Sequence, residues 1–216
     1  QGEVIGLLGP NGAGKTTSFN IFTGQLTPSH GDVILENRFV TYTSMPMRSR
    51  LGIGYLPQEP SIFRNLSVCE NLDIALNQTI RNASNRRLRR EQIIQEFNLG
   101  PFLDRKGYQL SGGERRRCEV ARALSLGRKG PKYLLLDEPF AGVDPLAVSD
   151  IQCLIKKLQN KGMGILITDH NVRETLAITD RSYILSSGRI LASGTSDEVA
   201  KDKLVKQYYL GDKFTL

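Results

Sequence analysis

The chain has 216 residues and carries 29 Lys and Arg against 22 Asp and Glu, a formal charge of +7, with 39% hydrophobic and 24% charged residues. This ordinary globular composition excludes a disordered tail, a collagen-like repeat and a disulfide scaffold. Cys69, Cys118 and Cys153 are odd in number and widely separated, which fits a reducing compartment rather than a paired framework or a metal site. No apolar run approaches the roughly 18 residues of a membrane helix, so the chain is expected to be soluble and to meet any membrane through a partner.

In chain order, Val4–Leu8 reads as a buried strand. No basic segment or small-residue cleavage site precedes it, so it is not a signal peptide, and strands N-terminal to it are expected to be missing. Gly9-Pro10-Asn11-Gly12-Ala13-Gly14-Lys15-Thr16-Thr17 then matches the phosphate-loop pattern G-x4-G-K-[ST] in full, between that strand and a helix over Lys15–Thr23. Glycines let successive backbone N–H groups approach phosphate oxygens, and the helix adds the positive end of its dipole. Lys15 is expected on the β- and γ-phosphates and the Thr16 hydroxyl at a Mg²⁺ position.

The segment 66–107 has little β-branched content and reads as a mostly helical insertion, with a helix at Glu91–Phe97. Its Arg86-Arg87-Leu88-Arg89-Arg90 cluster reads as a solvated helix face, because acids follow and no aromatic residues interleave. A helix over Ser111–Leu126 starts with an S-x-x-E capping box of Ser111 and Glu114. Gly112 and Gly113 at its first positions each cost about 1 kcal/mol against alanine, and a backbone lying flat on a phosphate supplies a reason. Tyr133–Asp137 is an apolar strand ending in Asp137 and Glu138: the first is expected near Mg²⁺, the second toward the γ-phosphate, where it can polarise the attacking water. A helix-capping acid is the structural alternative for Glu138.

Pro145–Asn160 is a helix whose Val148, Ile151, Leu154, Ile155 and Leu158 share one face. Strands at Gly164–Thr168 and Ser182–Leu185, a hairpin turn at Ser187-Gly188 and a short helix after Thr195 complete the chain. Strands alternating with helices predict an α/β fold, a phosphate-loop NTPase core with a mostly parallel sheet.

The phosphate loop, Leu110–Glu114 and Leu134–Glu138 stand in the order found in the ATP-binding cassette (ABC) ATPases, which this sequence resembles over nearly its whole length. Three shorter pieces match by order and spacing: Gln58 in Tyr55–Gln58, Ala141–Asp144, and His170 in Ile167–His170. The resemblance implies ATP and Mg²⁺ as ligands, with Gln58 on Mg²⁺ and the attacking water, Asp137 on Mg²⁺ and His170 on the γ-phosphate. It implies a homodimer through ATP, in which Ser111, Gly112 and Gly113 of one copy meet nucleotide on the phosphate loop of the other. Membrane subunits are expected to dock near 58–76, with the chain cytoplasmic on the inner face of the cell membrane. The implied division is a nucleotide-binding core at 1–65 and 108–216 and a helical subdomain at 66–107. Two departures stand out: Glu114 replaces the usual glutamine, and the aromatic residue that the family stacks on adenine is expected to lie before Gln1.

Within the family, 57–67, Glu114–Arg117, Asp137–Pro145, Thr168–Ala177 and Tyr209–Phe214 resemble the ATPase subunits of lipopolysaccharide exporters, whereas Arg81–Phe102 does not. Branched-chain amino-acid importer ATPases are the alternative. A DNA-clamping cassette would carry long coiled-coil or zinc insertions, for which this length has no room, so no nucleic-acid partner is expected. Translation-associated cassettes occur two to a chain.

Overall fold

A computed structural model describes residues 1–211 and 214. Its elements run β1 (Val4–Leu8), α1 (Lys15–Thr23), β2 (Ile34–Leu35), β3 (Arg38–Phe39), α2 (Met45–Arg50), β4 (Ile53–Leu56), α3 (Val68–Thr79), α4 (Ala83–Glu96) and α5 (Gly112–Ala123). They continue with β5 (Tyr133–Asp137), α6 (Pro145–Asn160), β6 (Gly164–Thr168), α7 (Val172–Leu176), β7 (Arg181–Ser186), β8 (Arg189–Gly194), α8 (Ser196–Lys201) and α9 (Lys203–Val205).

Among the described residues the strands form a six-stranded sheet in the order β4-β5-β6-β1-β7-β8 and a separate β2-β3 ribbon. All neighbours in the larger sheet are parallel except β8, which returns antiparallel to β7. Ser187 and Gly188 make that return with φ of 48° and 75°, the positive values a two-residue hairpin requires. Because β1, β5 and β6 are adjacent and parallel, their carboxyl ends lie side by side, which brings the phosphate loop, Asp137-Glu138 and Asp169-His170 to one edge.

The main core is continuous between the sheet and the helical segment: Leu134, Leu136, Ile165 and Ile167 share it with Leu72, Leu76, Ile93 and Phe97. On the other face Leu7, Ile53 and Leu135 pack against Phe19 of α1. The expected strands and the hairpin are present, and 66–107 is mostly helical as read. Other details differ. The helix expected at Glu91–Phe97 starts at Ala83, capped by Asn82, whose side chain accepts the Asn85 amide at 3.0 Å. The helix expected to reach Leu126 ends at Ala123, with Leu124 as its cap. Strand β4 and the β2-β3 ribbon were too short to carry a period. In the C-terminal tail, Asp212 and Lys213 lie outside the described residues.

The arginine cluster is not simply a solvated face. Arg87 and Leu88 are exposed, but Arg86 donates to the carbonyl of Ile80, the cap of α3, at 3.0 Å, and Arg89 to that of Leu124 at 2.9 Å. Arg90 pairs with Asp73 at 2.8 Å. Three of the cluster's guanidinium groups thus serve carbonyl ends and an acid of neighbouring helices, a use that helix-end carbonyls favour.

Arg48 is 1% exposed and donates to the carbonyls of Thr41 (2.9 Å), Thr43 (2.9 Å) and Phe22 (2.9 Å), and also to that of Ile21. It therefore closes the end of α1 and the loop after the ribbon at once. Arg48→Leu leaves these carbonyls without the donor and is expected to lower stability by about 2–4 kcal/mol in urea unfolding.

Candidate active site

The phosphate loop is shaped by steric necessity at Gly9. Its φ is 150°, and a Cβ there would lie 2.1 Å from the Leu185 carbonyl oxygen, so no other residue fits. The Gly188 amide donates to Ala13 O at 3.0 Å, fixing the loop to the β7–β8 hairpin. Gly14, φ 106°, starts α1 with no side-chain cap, leaving first-turn amides for an anion. Lys15 is buried and its Nζ donates to Gly9 O (2.7 Å) and Pro10 O (3.1 Å). Burial pushes its ammonium pKa down, opposed by the charges of Glu138 and Asp137.

Asp137, 2% exposed, ends β5 with Oδ2 3.5 Å from the Tyr55 hydroxyl and Oδ1 buried without a partner. Burial, then the neighbouring Glu138 charge, raises its pKa. Glu138 follows with φ 49°, a left-handed conformation that costs of order 1 kcal/mol or more for a residue with a Cβ. It is held there by its amide, which donates to Thr168 O at 2.8 Å. The twist aims the carboxylate into the cleft: Oε2 accepts Gln58 Nε2 at 2.8 Å, and Oε1 lies 2.7 Å from His170 Nε2. Glu138 is therefore not a helix cap. Asn11–Thr17, Gln58, Glu138 and His170 line a cleft of about 380 Å³, so residues far apart in sequence meet as expected.

Ser111, Gly112 and Gly113 do not line that cleft. Ser111 Oγ accepts the Glu114 amide at 3.2 Å and Glu114 Oε2 accepts the Ser111 amide at 2.9 Å, the expected capping box. A Cβ on Gly113 would lie 2.8 Å from Ala147 Cβ, so packing against α6 accounts for this glycine; at Gly112 the nearest atom is Gly142 O at 3.4 Å, which leaves room. Asp144 caps α6, accepting the Ala147 amide at 3.0 Å.

Sequence reasoning missed the groups that brace the site. Buried Arg116 donates to the carbonyls of Pro57 (3.1 Å), Asp137 (3.0 Å), Glu138 (2.8 Å) and Pro139 (3.2 Å) and pairs with Glu119 at 3.2 Å. Glu119 Oε1 in turn accepts the amides of Ser61 (2.7 Å) and Ile62 (3.1 Å). The signal was available: Arg116, Glu119 and Val120 fall on one helical face, and a charged pair beside a buried valine asks for partners. Asp169 accepts the amides of Phe140 (2.9 Å) and Asn171 (2.8 Å), tying the His170 segment to the loop after Glu138.

Residues 1–141 match the family model described as ABC transporter. The chain belongs to this family. It is an ATP-binding, ATP-hydrolysing subunit of an ABC transporter with an α/β cassette fold. The lipopolysaccharide export system ATP-binding proteins of Acidithiobacillus ferridurans and Escherichia coli K12 are each 50% identical to it, over 100% of this chain and 88% and 89% of theirs. A probable ABC transporter ATP-binding protein of Azorhizobium caulinodans is 49% identical over 100% of this chain and 76% of its own. Among solved structures, the ADP conformation of an ATP-binding cassette superposes with TM-score 0.85 at 31% identity, covering 98% of this chain and 89% of that one. A dimeric cassette in a post-hydrolysis state with ADP and Pi gives TM-score 0.78 at 27% identity, covering 90% and 86%. No helix among the described residues is long and apolar enough to cross a membrane.

The raised pKa of Asp137 carries a sign for stability. The folded state binds its proton more tightly than the unfolded chain, so stability falls as pH rises from the unfolded to the folded pKa and stays lower above it. Asp137→Asn is therefore expected to raise the melting temperature of the nucleotide-free protein at neutral pH by about 2–4 °C, measured calorimetrically, while ATP turnover is lost.

Proposed function

We propose that this ATPase energises lipopolysaccharide export, with Glu138 as the general base. The observation that carries the catalytic part is the Glu138 carboxylate, suspended between Gln58 and His170 beside the phosphate loop. The cargo reading rests on the relatives, at 50% identity over the whole chain, that are described as lipopolysaccharide export ATP-binding proteins.

Gly9–Thr17 cradle the triphosphate: the amides after Gly12 and the Lys15 ammonium take its charge, and Lys15 then gives up the Gly9 and Pro10 carbonyls for phosphate oxygens. The residues fit a Mg²⁺ ion. Asp137 Oδ1 is buried without a partner, Thr16 is exposed at the loop's end, and Gln58 faces the same cleft. Among the described residues no group of three or more His, Cys, Asp and Glu could hold a metal, which suits an ion completed by nucleotide oxygens and water. Thr16, Gln58 and Asp137 would hold it, and the ion would neutralise charge between the β- and γ-phosphates. Glu138 accepts the proton of a water aligned on the γ-phosphate, while Gln58 and His170 keep that carboxylate and the phosphate in register.

Ser111, Gly112 and Gly113 serve the nucleotide of a second copy. Their turn stands apart from this chain's own cleft at a capped helix start, and the dimeric relative supports pairing. Membrane subunits dock near 58–76, in the groove of about 510 Å³ that Ser61, Phe63, Ile74 and Ala75 help to line. Phe63 is 48% exposed there, with the Arg122 guanidinium 5.1 Å from its ring, and Arg122 also donates to Ser61 O at 2.7 Å. The core comprises 1–65 and 108–216 and the helical subdomain 66–107; the protein works on the inner face of the cell membrane.

Glu138→Gln keeps the shape but removes the base. ATP binding is expected to persist while turnover falls about 100-fold or more; wild-type turnover would refute the role. Lys15→Ala removes the cation from the phosphate cradle and is expected to weaken ATP binding about tenfold or more in equilibrium titration.

A further inference from the structure

Glu114 stands where the family most often carries glutamine, and its two carboxylate oxygens have different partners. Oε2 accepts the Ser111 amide at 2.9 Å and Oε1 accepts Arg105 Nη2. A glutamine would still offer its carbonyl to Ser111 but would then turn its NH₂ toward the guanidinium, donor against donor. Burial works against charge on Glu114, yet the Ser111 amide and the Arg105 guanidinium outweigh it, and the carboxyl lies below its usual value.

Arg105 is itself fixed in place. Its guanidinium lies 5.3 Å from the ring centre of Phe102, a residue of the main core. Its carbonyl accepts the amide of Val68, the first residue of α3, at 3.1 Å, and Ser67 and Lys106 form a β-bridge beside it. Its Nε is buried without a partner. The Arg105 and Glu114 side chains are 42% and 27% exposed, so the pair acts as a locator more than as a source of stability.

We propose that Arg105 is a positioning residue for the Ser111–Gly113 turn: from the 66–107 segment it grips Glu114 and fixes the orientation in which that turn is presented to nucleotide on a second copy. This rests on the two-copy reading above. It also gives the glutamate a reason, since only an acceptor at both oxygens satisfies Ser111 and Arg105 together. The same arginine is bonded to the start of α3, whose Asn71 side chain accepts the Phe63 amide at 2.9 Å, so the turn and the docking groove share a rigid support.

The test is ATP-driven dimerisation of the Glu138→Gln variant with Mg²⁺ and ATP, followed by light scattering, alongside the monomer's affinity for a fluorescent ATP analogue and its melting temperature. Arg105→Met is expected to weaken dimerisation about three- to tenfold while monomer affinity and melting temperature hold. Glu114→Gln is expected to weaken it similarly when Arg105 is present and to add nothing on top of Arg105→Met. Unchanged dimerisation in Arg105→Met, losses that simply add, or a loss that tracks a fall in melting temperature would each overturn the assignment. Ser111→Arg separates the two levels: if it leaves dimerisation intact, the two-copy reading fails and this proposal with it. If it abolishes dimerisation while Arg105→Met does nothing, only the Arg105 role fails.

Discussion

The candidate active site depends on holding one carboxylate in a backbone conformation it would not choose. Glu138, φ 49°, stays left-handed because its amide is bound to Thr168 O, its carbonyl to Arg116, and its side chain to Gln58 and His170. Each bond is modest alone; together they over-determine the position, the condition under which strain persists in a folded protein. The conformation turns the side chain from the sheet edge into the cleft. Asp137, one residue earlier in regular strand geometry, stays buried with an unmet oxygen.

Arg116 links this arrangement to the rest of the molecule. It reaches both sides of the cleft from α5, through Pro57 before Gln58 and through Asp137, Glu138 and Pro139 after β5. Its partner Glu119 extends the hold to Ser61 and Ile62. Thus the helix that begins with the Ser111 turn also braces the loop beside the Phe63 groove and the Glu138 carboxylate. A shift at either end of α5 has a direct physical route to the other, made of charge-assisted bonds in a buried setting.

Much of this was legible in the sequence where one residue type alone satisfies a constraint. The phosphate loop is readable because Gly9 has no alternative against Leu185 O, and the apolar runs of β1, β5 and β6 are readable because parallel strands are covered on both faces. The capping box at Ser111 and Glu114 is local and was found. Gln58 and His170 were weak individually, since neither neighbour in sequence explains it; they meet only through Glu138, which long-range strand order supplies. Arg48 and Arg89 were hidden for a related reason. A sequence shows a positive charge but not the carbonyl it will reach, and burial by carbonyls alone has no pattern along the chain. The arginine cluster of α4 was accordingly read as solvated when most of its guanidinium groups are in use.

The most direct test of the central arrangement is a crystal structure of the chain with Mg²⁺ and a non-hydrolysable ATP analogue. Glu138 is predicted to keep its left-handed backbone and its Arg116 contact, with His170 within reach of the γ-phosphate. A Ser111 turn from a second copy is also predicted on the far side of that phosphate. A nucleotide bound with Glu138 turned out of the cleft, or with its backbone relaxed from the left-handed region, would contradict this arrangement.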